Sequence, residues 1–194
     1  MGQLQNSEAY NDDVQRLITE ENLREIMKGG TDLKTFTPHL AYYMRQNDIN
    51  TPRRMAMFLA QVAHESGRFY YLKELGNGEA YNPPSQKATN LGNTEPGDGP
   101  RYKGRGLIQI TGRDNYNQYG KIMNLDLINN PELLEQKDNA VHVSCLFWKH
   151  RNLNQLADQD DFIGVTKRIN GGTNGLAERQ KYYDKAKEVF GISQ

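Results

Sequence analysis

The chain has 194 residues, with 24 Lys and Arg residues against 24 Asp and Glu residues. This length suits one domain with a hydrophobic core and is short for two. The balanced charge gives no sign of a polyanionic partner such as nucleic acid, and no apolar run is long enough to span a membrane.

The first 15 residues are predicted to form a loose leader, and residues 16–194 a single domain. The segment from Met1 to Asp13 is polar and contains no apolar stretch of the kind found in secretory signals. The sequence therefore predicts no signal peptide.

Three helices are predicted in the first third of the chain. The first is capped by Thr19 and ends at Gly29-Gly30, and the second runs from about Pro38 to Met44. The pair Thr51-Pro52 is typical of an N-cap followed by proline in the first turn, so a third helix is predicted from Pro52 to Ser66.

Glu65 is the first residue that indicates chemistry. It is the next position on an apolar helix face formed by Met55, Phe58, Leu59 and Val62. A carboxyl group that faces a core is costly unless paired, and burial favours the protonated form that can donate a proton. In the alternative interpretation, the helix ends near Gly67 and Glu65 is simply exposed to solvent.

Glu74 lies just past the predicted end of that helix, after an aromatic-rich step. Gly, Pro, Asn and Ser then crowd the region from Gly76 to Gly104, which predicts a long irregular loop. Two carboxylates in different environments are typical of an acid and base pair. Glu79 is a rival for the role of Glu74, and either residue can be an ordinary surface acid.

The turn Gly104-Arg105-Gly106 lacks the spacing of a dinucleotide-binding loop. The run from Leu107 to Ile110 predicts a strand or an extended buried segment, with Gln109 directed away from its apolar face. Thr111 precedes Gly112 and is either a helix N-cap or a hydroxyl that holds a water.

The remaining periodic segments complete a mainly α chain. Predicted helices lie around Tyr116–Met123, from Asn130-Pro131 to about Trp148, over Phe162–Ile169 and from about Leu176 to Phe190. Cys145 is the only cysteine, so no intramolecular disulfide is expected, and with His142 it does not make a metal site.

Three separated motifs resemble the glycoside hydrolase family 19 chitinases and, more closely, the family 19-like phage endolysins and bacterial muralytic enzymes. The motifs are Phe58–Gly67, Pro96–Gly99 with Tyr102–Gly112, and Ile169–Gly172 with Asn174-Gly175. They occur in the family's order, and the resemblance spans about residues 17 to 190.

The resemblance implies a lysozyme-like, two-lobed helical domain with a catalytic cleft and a long irregular central loop region. It implies that Glu65 is the general acid, that Glu74 is the general base, and that Thr111 helps the base hold the attacking water. The family inverts at the anomeric carbon, which requires the two carboxyl groups to lie ~6.5–9.5 Å apart so that a water fits between them.

The predicted substrate-binding residues are His64, Tyr102, Arg105, Gln109, Asn115, Asn170 and Arg179. The resemblance implies that Gln109, Asn115 and Asn170 contact the sugar and that Arg179 belongs to the electrostatic network of the acid. Plant-type chitinases carry an acidic residue soon after the Asn-Gly-Gly turn, where this chain has Thr173 and Asn174. We therefore expect Arg179 to pair directly with Glu65, and we expect neither a metal nor a cofactor.

The function expected from the sequence is that of a peptidoglycan-degrading, endolysin-type glycosidase acting between N-acetylmuramic acid and N-acetylglucosamine. The alternatives are a chitinase and a non-catalytic cell-wall-binding module. Expected partners are cell-wall polysaccharide or chitin, without nucleic acid or stable membrane association, for a monomer. We expect the protein to be made in the cytoplasm and to act on the wall or in the periplasm after release by another route.

Overall fold

A computed structural model describes residues 13–193. Most of the predicted leader, residues 1–15, lies outside this range; residues 13–17 are helical. The α-helices that follow are α1 (Glu20–Met27), α2 (Leu33–Gln46), α3 (Pro52–Glu65), α4 (Gln86–Leu91), α5 (Asp98–Arg101), α6 (Arg113–Met123), α7 (Lys137–His150), α8 (Leu153–Asp158), α9 (Phe162–Asn170) and α10 (Leu176–Phe190). Two 3₁₀ helices are Glu79–Tyr81 and Pro131–Glu135.

The predicted mainly α fold is confirmed. Over the described range 13–193, β structure is limited to isolated bridges that pair Arg105 with Lys73 and with Ile110. The chain divides into two compact units. One consists of the chain up to Tyr70 together with the chain from Cys145 onward, and the other is Tyr71–Ser144.

Helix α3 is the central element of the first unit. Every residue from Met55 to Ala63 is fully buried, and α10 packs along the helix. The ring of Phe58 meets that of Trp148 edge-on, with their centroids 5.4 Å apart. Because Glu65 is the last residue of this buried helix, its side chain is attached to a rigid backbone.

The second unit is held together by buried ion pairs as well as by apolar packing. Arg113 donates two hydrogen bonds to the buried carboxylate of Asp98, at 2.8 and 2.7 Å. Arg105 donates to Glu135 at 3.0 Å. Small units with long connections have little apolar core, and such paired charges fix loops that apolar contacts alone would leave loose.

Two helix starts agree with the caps predicted from the sequence. Thr19 accepts a hydrogen bond from Asn22 N and Thr51 accepts one from Arg54 N, both at 3.2 Å, as the predicted caps require. The predicted start of α2 at Pro38 is wrong, because the helix begins at Leu33 and Pro38 lies inside it. The short helix α8 was missed.

Three other predicted elements differ from the structure. The long helix from Asn130-Pro131 is interrupted at Gln136, whose extended backbone separates a 3₁₀ turn from α7. The run from Leu107 to Ile110 is not a strand, although its three apolar residues are buried; it closes a tight turn in which Arg105 and Ile110 exchange backbone hydrogen bonds. The region from Gly76 to Gly104 contains α4, α5 and a 3₁₀ turn instead of continuous loop.

Cys145 is a free, fully buried thiol, and burial raises its pKa well above the ordinary value. In residues 13–193, no cluster of three or more His, Cys, Asp or Glu side chains could hold a metal ion. No helix in the same range is long and apolar enough to cross a membrane.

Candidate active site

Glu65 is paired with a buried arginine of its own unit. Its Oε1 lies 2.6 Å from Arg179 Nη2, and 24% of the Glu65 side chain is exposed against 2% of the arginine side chain. The carboxylate is therefore neither fully core-facing nor simply free in solvent, the two alternatives that the helix pattern left open. The expected direct pairing of Arg179 with Glu65 is confirmed.

Arg179 is fixed by two further oxygens. Its Nε donates to the backbone oxygen of Asn174 at 3.1 Å, and its Nη1 donates to Gln61 Oε1 at 2.6 Å. A guanidinium presents its donors in a rigid plane, so bonds to three separate groups leave it little freedom. The arginine thus holds one oxygen of Glu65 at a defined place.

His64 and Asn170 lie in the same unit as Glu65. His64 Nδ1 is 3.0 Å from Glu178 Oε1, and a side chain at Gly175 would overlap the imidazole ring. Asn170 ends α9, and within residues 13–193 its buried Nδ2 has no hydrogen-bond partner. A buried amide without a partner is uncommon, so a ligand oxygen can satisfy this donor.

The carboxylate of Glu74 is held by the glycine turn of the second unit. Its Oε2 accepts hydrogen bonds from Gly104 N at 3.1 Å and from the Tyr81 hydroxyl at 3.3 Å. Burial, followed by the negative charge of Glu74, raises the pKa of Tyr81. Glu79 is exposed instead and accepts from its near neighbour Asn82 at 2.7 Å.

Gly104 also brings Gln109 next to Glu74. A Cβ placed on Gly104 would lie 2.7 Å from Gln109 Oε1 and 3.0 Å from Glu74 Oε2. Both side chains are partly exposed, as ligand contact requires. A methyl group here would displace the ends of these two flexible side chains from their present places.

Thr111 does not cap the helix that follows it. Helix α6 has Gly112 at its N-cap position, with no side-chain cap. The threonine backbone oxygen accepts from Asn115 Nδ2 at 2.8 Å. The N-cap alternative for Thr111 is therefore wrong, and the role of its hydroxyl in holding a water stays a prediction.

Tyr102 and Arg105 are directed into the second unit. Tyr102 is 1% exposed and donates to the backbone oxygen of Ile128 at 2.8 Å. Arg105 is 8% exposed and, besides its bond to Glu135, donates to the Tyr116 hydroxyl at 3.1 Å. The burial of both side chains does not favour their predicted substrate-binding role, which stays a prediction.

Gln61 and Tyr81 were missed from the sequence although both contact the candidate residues. Gln61 is an amide in a run of apolar positions on α3, and buried polar groups are nearly always hydrogen-bonded, so its position could have indicated a polar partner. Tyr81 carries no comparable signal, since its contact with Glu74 depends on how the intervening turn folds.

Comparison with known proteins gives one consistent family. Residues 31–165 match the sequence model of glycoside hydrolase family 19, described as chitinase class I. The chain is 38% identical over 157 residues to a glycosyl hydrolase family 19 domain-containing protein of Haemophilus influenzae, covering 67% of this chain and 76% of that protein. It is 31% identical over 147 residues to an endochitinase of Arabidopsis thaliana, covering 73% of this chain and 49% of the plant protein.

Solved structures show the same fold. The class IV family 19 chitinase of Zea mays superposes with a TM-score of 0.70 at 23% identity, covering 92% of this chain and 94% of that one. Chitinase C of Streptomyces griseus superposes with a TM-score of 0.72 at 21% identity, covering 91% and 94%. The predicted lysozyme-like helical fold is thereby confirmed.

Proposed function

Since the chain belongs to glycoside hydrolase family 19, we propose that it hydrolyses β-1,4 linkages in a polysaccharide that contains N-acetylglucosamine. The observation that carries the proposal is the ion pair of Glu65 with the buried Arg179, at 2.6 Å. It holds a partly exposed carboxyl group in a fixed orientation at the end of a rigid helix, and fixed orientation is what general acid catalysis requires.

In the proposed mechanism, Glu65 protonates the oxygen of the leaving sugar. Glu74 accepts a proton from a water that attacks the anomeric carbon, and the Thr111 hydroxyl helps to hold that water. The hydrogen bonds from Gly104 N and Tyr81 leave the carboxylate of Glu74 oriented before substrate arrives. Catalysis by such a pair needs side chains and water only, so no cofactor enters the proposal.

Chitin is the first substrate candidate. The matching family model is described as chitinase class I, and several curated relatives of the chain are named endochitinases. The chain spans about half the length of those plant proteins, so we extend their activity to this chain only as a proposal.

Peptidoglycan is the second candidate, and it shares N-acetylglucosamine with chitin. Two features separate this chain from the plant enzymes that its sequence resembles. Thr173 and Asn174 stand where those enzymes carry an acidic residue, and the single cysteine of this chain is a free thiol. By the resemblance, both features favour the branch that degrades bacterial cell walls over the secreted plant chitinases.

The experiment is mass spectrometry of soluble products from chitin oligosaccharides and from purified peptidoglycan, each treated with the wild-type protein and with Glu65→Gln. We expect new reducing ends from at least one substrate with wild type alone. The sugar at the new end names the bond that is cut, and the substrate that yields products decides between the two candidates.

Equal product release by Glu65→Gln would remove Glu65 as the acid. Binding of wild type to a polysaccharide without any release of reducing ends would replace the hydrolase proposal with a wall-binding module. Glu65→Gln keeps an acceptor for Arg179 but leaves that buried guanidinium without a counter-charge, so it should melt below wild type, and circular dichroism must show that it is folded at the assay temperature.

A further inference from the structure

Arg179 reaches beyond Glu65 into a buried polar chain in the first unit. Gln61 and Thr166 have no exposed surface, and Arg179 is 1% exposed. Arg179 donates to Gln61 Oε1 at 2.6 Å, Gln61 Nε2 donates to Thr166 Oγ1 at 2.9 Å, and Thr166 Oγ1 donates to Phe162 O at 3.0 Å. The chain therefore ends on a helix backbone oxygen, which has a fixed position.

The direction of every hydrogen bond in this chain is determined. The Thr166 hydroxyl has one proton, and it goes to the carbonyl of Phe162, so the hydroxyl can only accept from the Gln61 amide. The amide nitrogen must then face Thr166 and the amide oxygen must face Arg179. A flipped amide would place its N–H groups against a guanidinium that has no acceptor.

Besides Glu65, Arg179 has the side chain of Gln61 as a partner, and the amide of Gln61 carries no charge. Within residues 13–193, the guanidinium meets one carboxylate, that of Glu65, and two uncharged oxygens, those of Gln61 and Asn174. An uncharged acceptor fixes the orientation of the guanidinium without competing for its charge. The whole charge-assisted bond is left to Glu65.

We propose that Gln61 and Thr166 are positioning residues of the general acid, and that they hold Arg179 in the one orientation that aligns Glu65. The inference rests on the proposed function, since it takes Glu65 to be the proton donor. Neither residue needs to touch substrate, because both act through Arg179. Removal of the Thr166 hydroxyl should therefore lower kcat and leave KM unchanged.

The test compares two nearly isosteric variants, Thr166→Val and Thr166→Ser. Valine keeps the shape of threonine and removes the hydroxyl, whereas serine keeps the hydroxyl and removes the methyl group. We expect Thr166→Val to lower kcat by roughly tenfold with KM unchanged, as small misplacements of catalytic groups do. Thr166→Ser should stay close to wild type in kcat, even where the lost methyl group lowers its melting temperature.

Gln61 gives a second comparison, with Gln61→Met and Gln61→Glu. Methionine fills the space without a good acceptor for Arg179 Nη1, so kcat should fall as in Thr166→Val. Glutamate keeps an acceptor at the same place but adds a carboxylate that competes with Glu65 for the guanidinium, so kcat should fall here too, and a wild-type kcat would contradict the inference. A variant that fails to fold is identified by circular dichroism and leaves the Thr166 pair to decide.

A readout without turnover is the ¹⁵N NMR signal of the Arg179 Nε–H group, assigned through Arg179→Lys. We expect this signal to shift or broaden in Thr166→Val and to stay in place in Thr166→Ser. If wild type cleaves substrate and Thr166→Val keeps both its kcat and this signal, the positioning inference is overturned and the proposed function stands. If wild type cleaves neither substrate, the proposed function fails and the NMR comparison alone decides whether Thr166 positions Arg179.

Discussion

At the residue scale, Glu74 and Glu79, the two candidates for the general base, have different hydrogen-bond partners. Glu74 is anchored to Gly104 N and Tyr81, while Glu79 is exposed and bonded to the neighbouring Asn82. We expect Glu74→Gln to lower kcat by about 10²–10⁴-fold, the usual contribution of a general base. Initial rates on a soluble chitin oligosaccharide, or on peptidoglycan if that is the substrate, measure the effect.

Glu79→Gln is the matched control for that prediction. It makes the same chemical change five residues further along the chain, and it should retain wild-type kcat. A large loss in Glu79→Gln with little loss in Glu74→Gln would exchange the two assignments. Equal losses would indicate that the whole turn, rather than one carboxylate, is disturbed.

A methyl group at Gly104 should disturb two side chains at once. The Cβ of alanine would lie 2.7 Å from Gln109 Oε1 and 3.0 Å from Glu74 Oε2, which forces one or both to move. We expect Gly104→Ala to lower kcat/KM by roughly 10²-fold, because displaced catalytic groups act poorly. Circular dichroism should show unchanged helix content. Full activity in this variant would mean that catalysis does not depend on the present positions of these two oxygens.

Single residues were predictable from the sequence where a periodic pattern constrained them. Glu65 continues the apolar face of α3, whereas its pairing with Arg179 was expected only from the resemblance to family 19 and the missing acid after the Asn-Gly-Gly turn. The burial of Tyr102 and Arg105 was not predictable, because a hydroxyl or a guanidinium has the same sequence signature whether it meets a sugar or a buried carbonyl. Only the fold distinguishes those two uses.

At the scale of elements, the ion pair of Asp98 with Arg113 joins α5 to α6. Burial of Asp98 opposes its ionisation, but hydrogen bonds from Arg113 and from the backbone of Glu95 and Thr94 outweigh burial and lower the pKa of Asp98. A carboxylate with a lowered pKa stabilises the fold above its unfolded pKa of about 3.9 and stops doing so as the pH falls through its folded pKa.

We therefore expect Asp98→Asn to lower the free energy of unfolding by about 2 kcal/mol at pH 7. The difference from wild type should narrow as the pH falls below about 4, where Asp98 of the unfolded chain takes up a proton, and should level off below the lowered folded pKa. Urea unfolding at a series of pH values measures both quantities. A difference that stays constant down to pH 2 would mean that the lost stability comes from packing rather than from the charge.

Elements with a capping side chain and a regular apolar face could be predicted, whereas elements set by tertiary contacts could not. Helix α3 has both features, and its bounds agree with the sequence to within one residue. The turn before α7 looks helical in the sequence because Asn130-Pro131 is a good start signal, yet Gln136 is extended. The short helices between Gly76 and Gly104 are too brief to produce a periodic pattern.

At the scale of the whole molecule, the two candidate carboxylates belong to different compact units. Glu65 lies in the unit that contains α3 and α10, and Glu74 lies in Tyr71–Ser144. The predicted catalytic cleft that would join them stays a prediction. The sequence could indicate both carboxylates, but it could not identify the polymer, since chitin and peptidoglycan share the sugar that flanks the bond.

The stereochemistry of the product tests whether the two carboxylates act on one bond. If Glu65 protonates the leaving oxygen while Glu74 directs water to the opposite face, a single displacement converts a β-linkage into an α-anomer. We expect ¹H NMR of a freshly started digest of a chitin oligosaccharide, or of a peptidoglycan glycan chain, to show the α-anomer of the new reducing end first. The β-anomer should then grow in at the mutarotation rate of an enzyme-free sugar control. A β-anomer that appears first would require two successive inversions, and Glu74 could not then act as the base for direct attack by water.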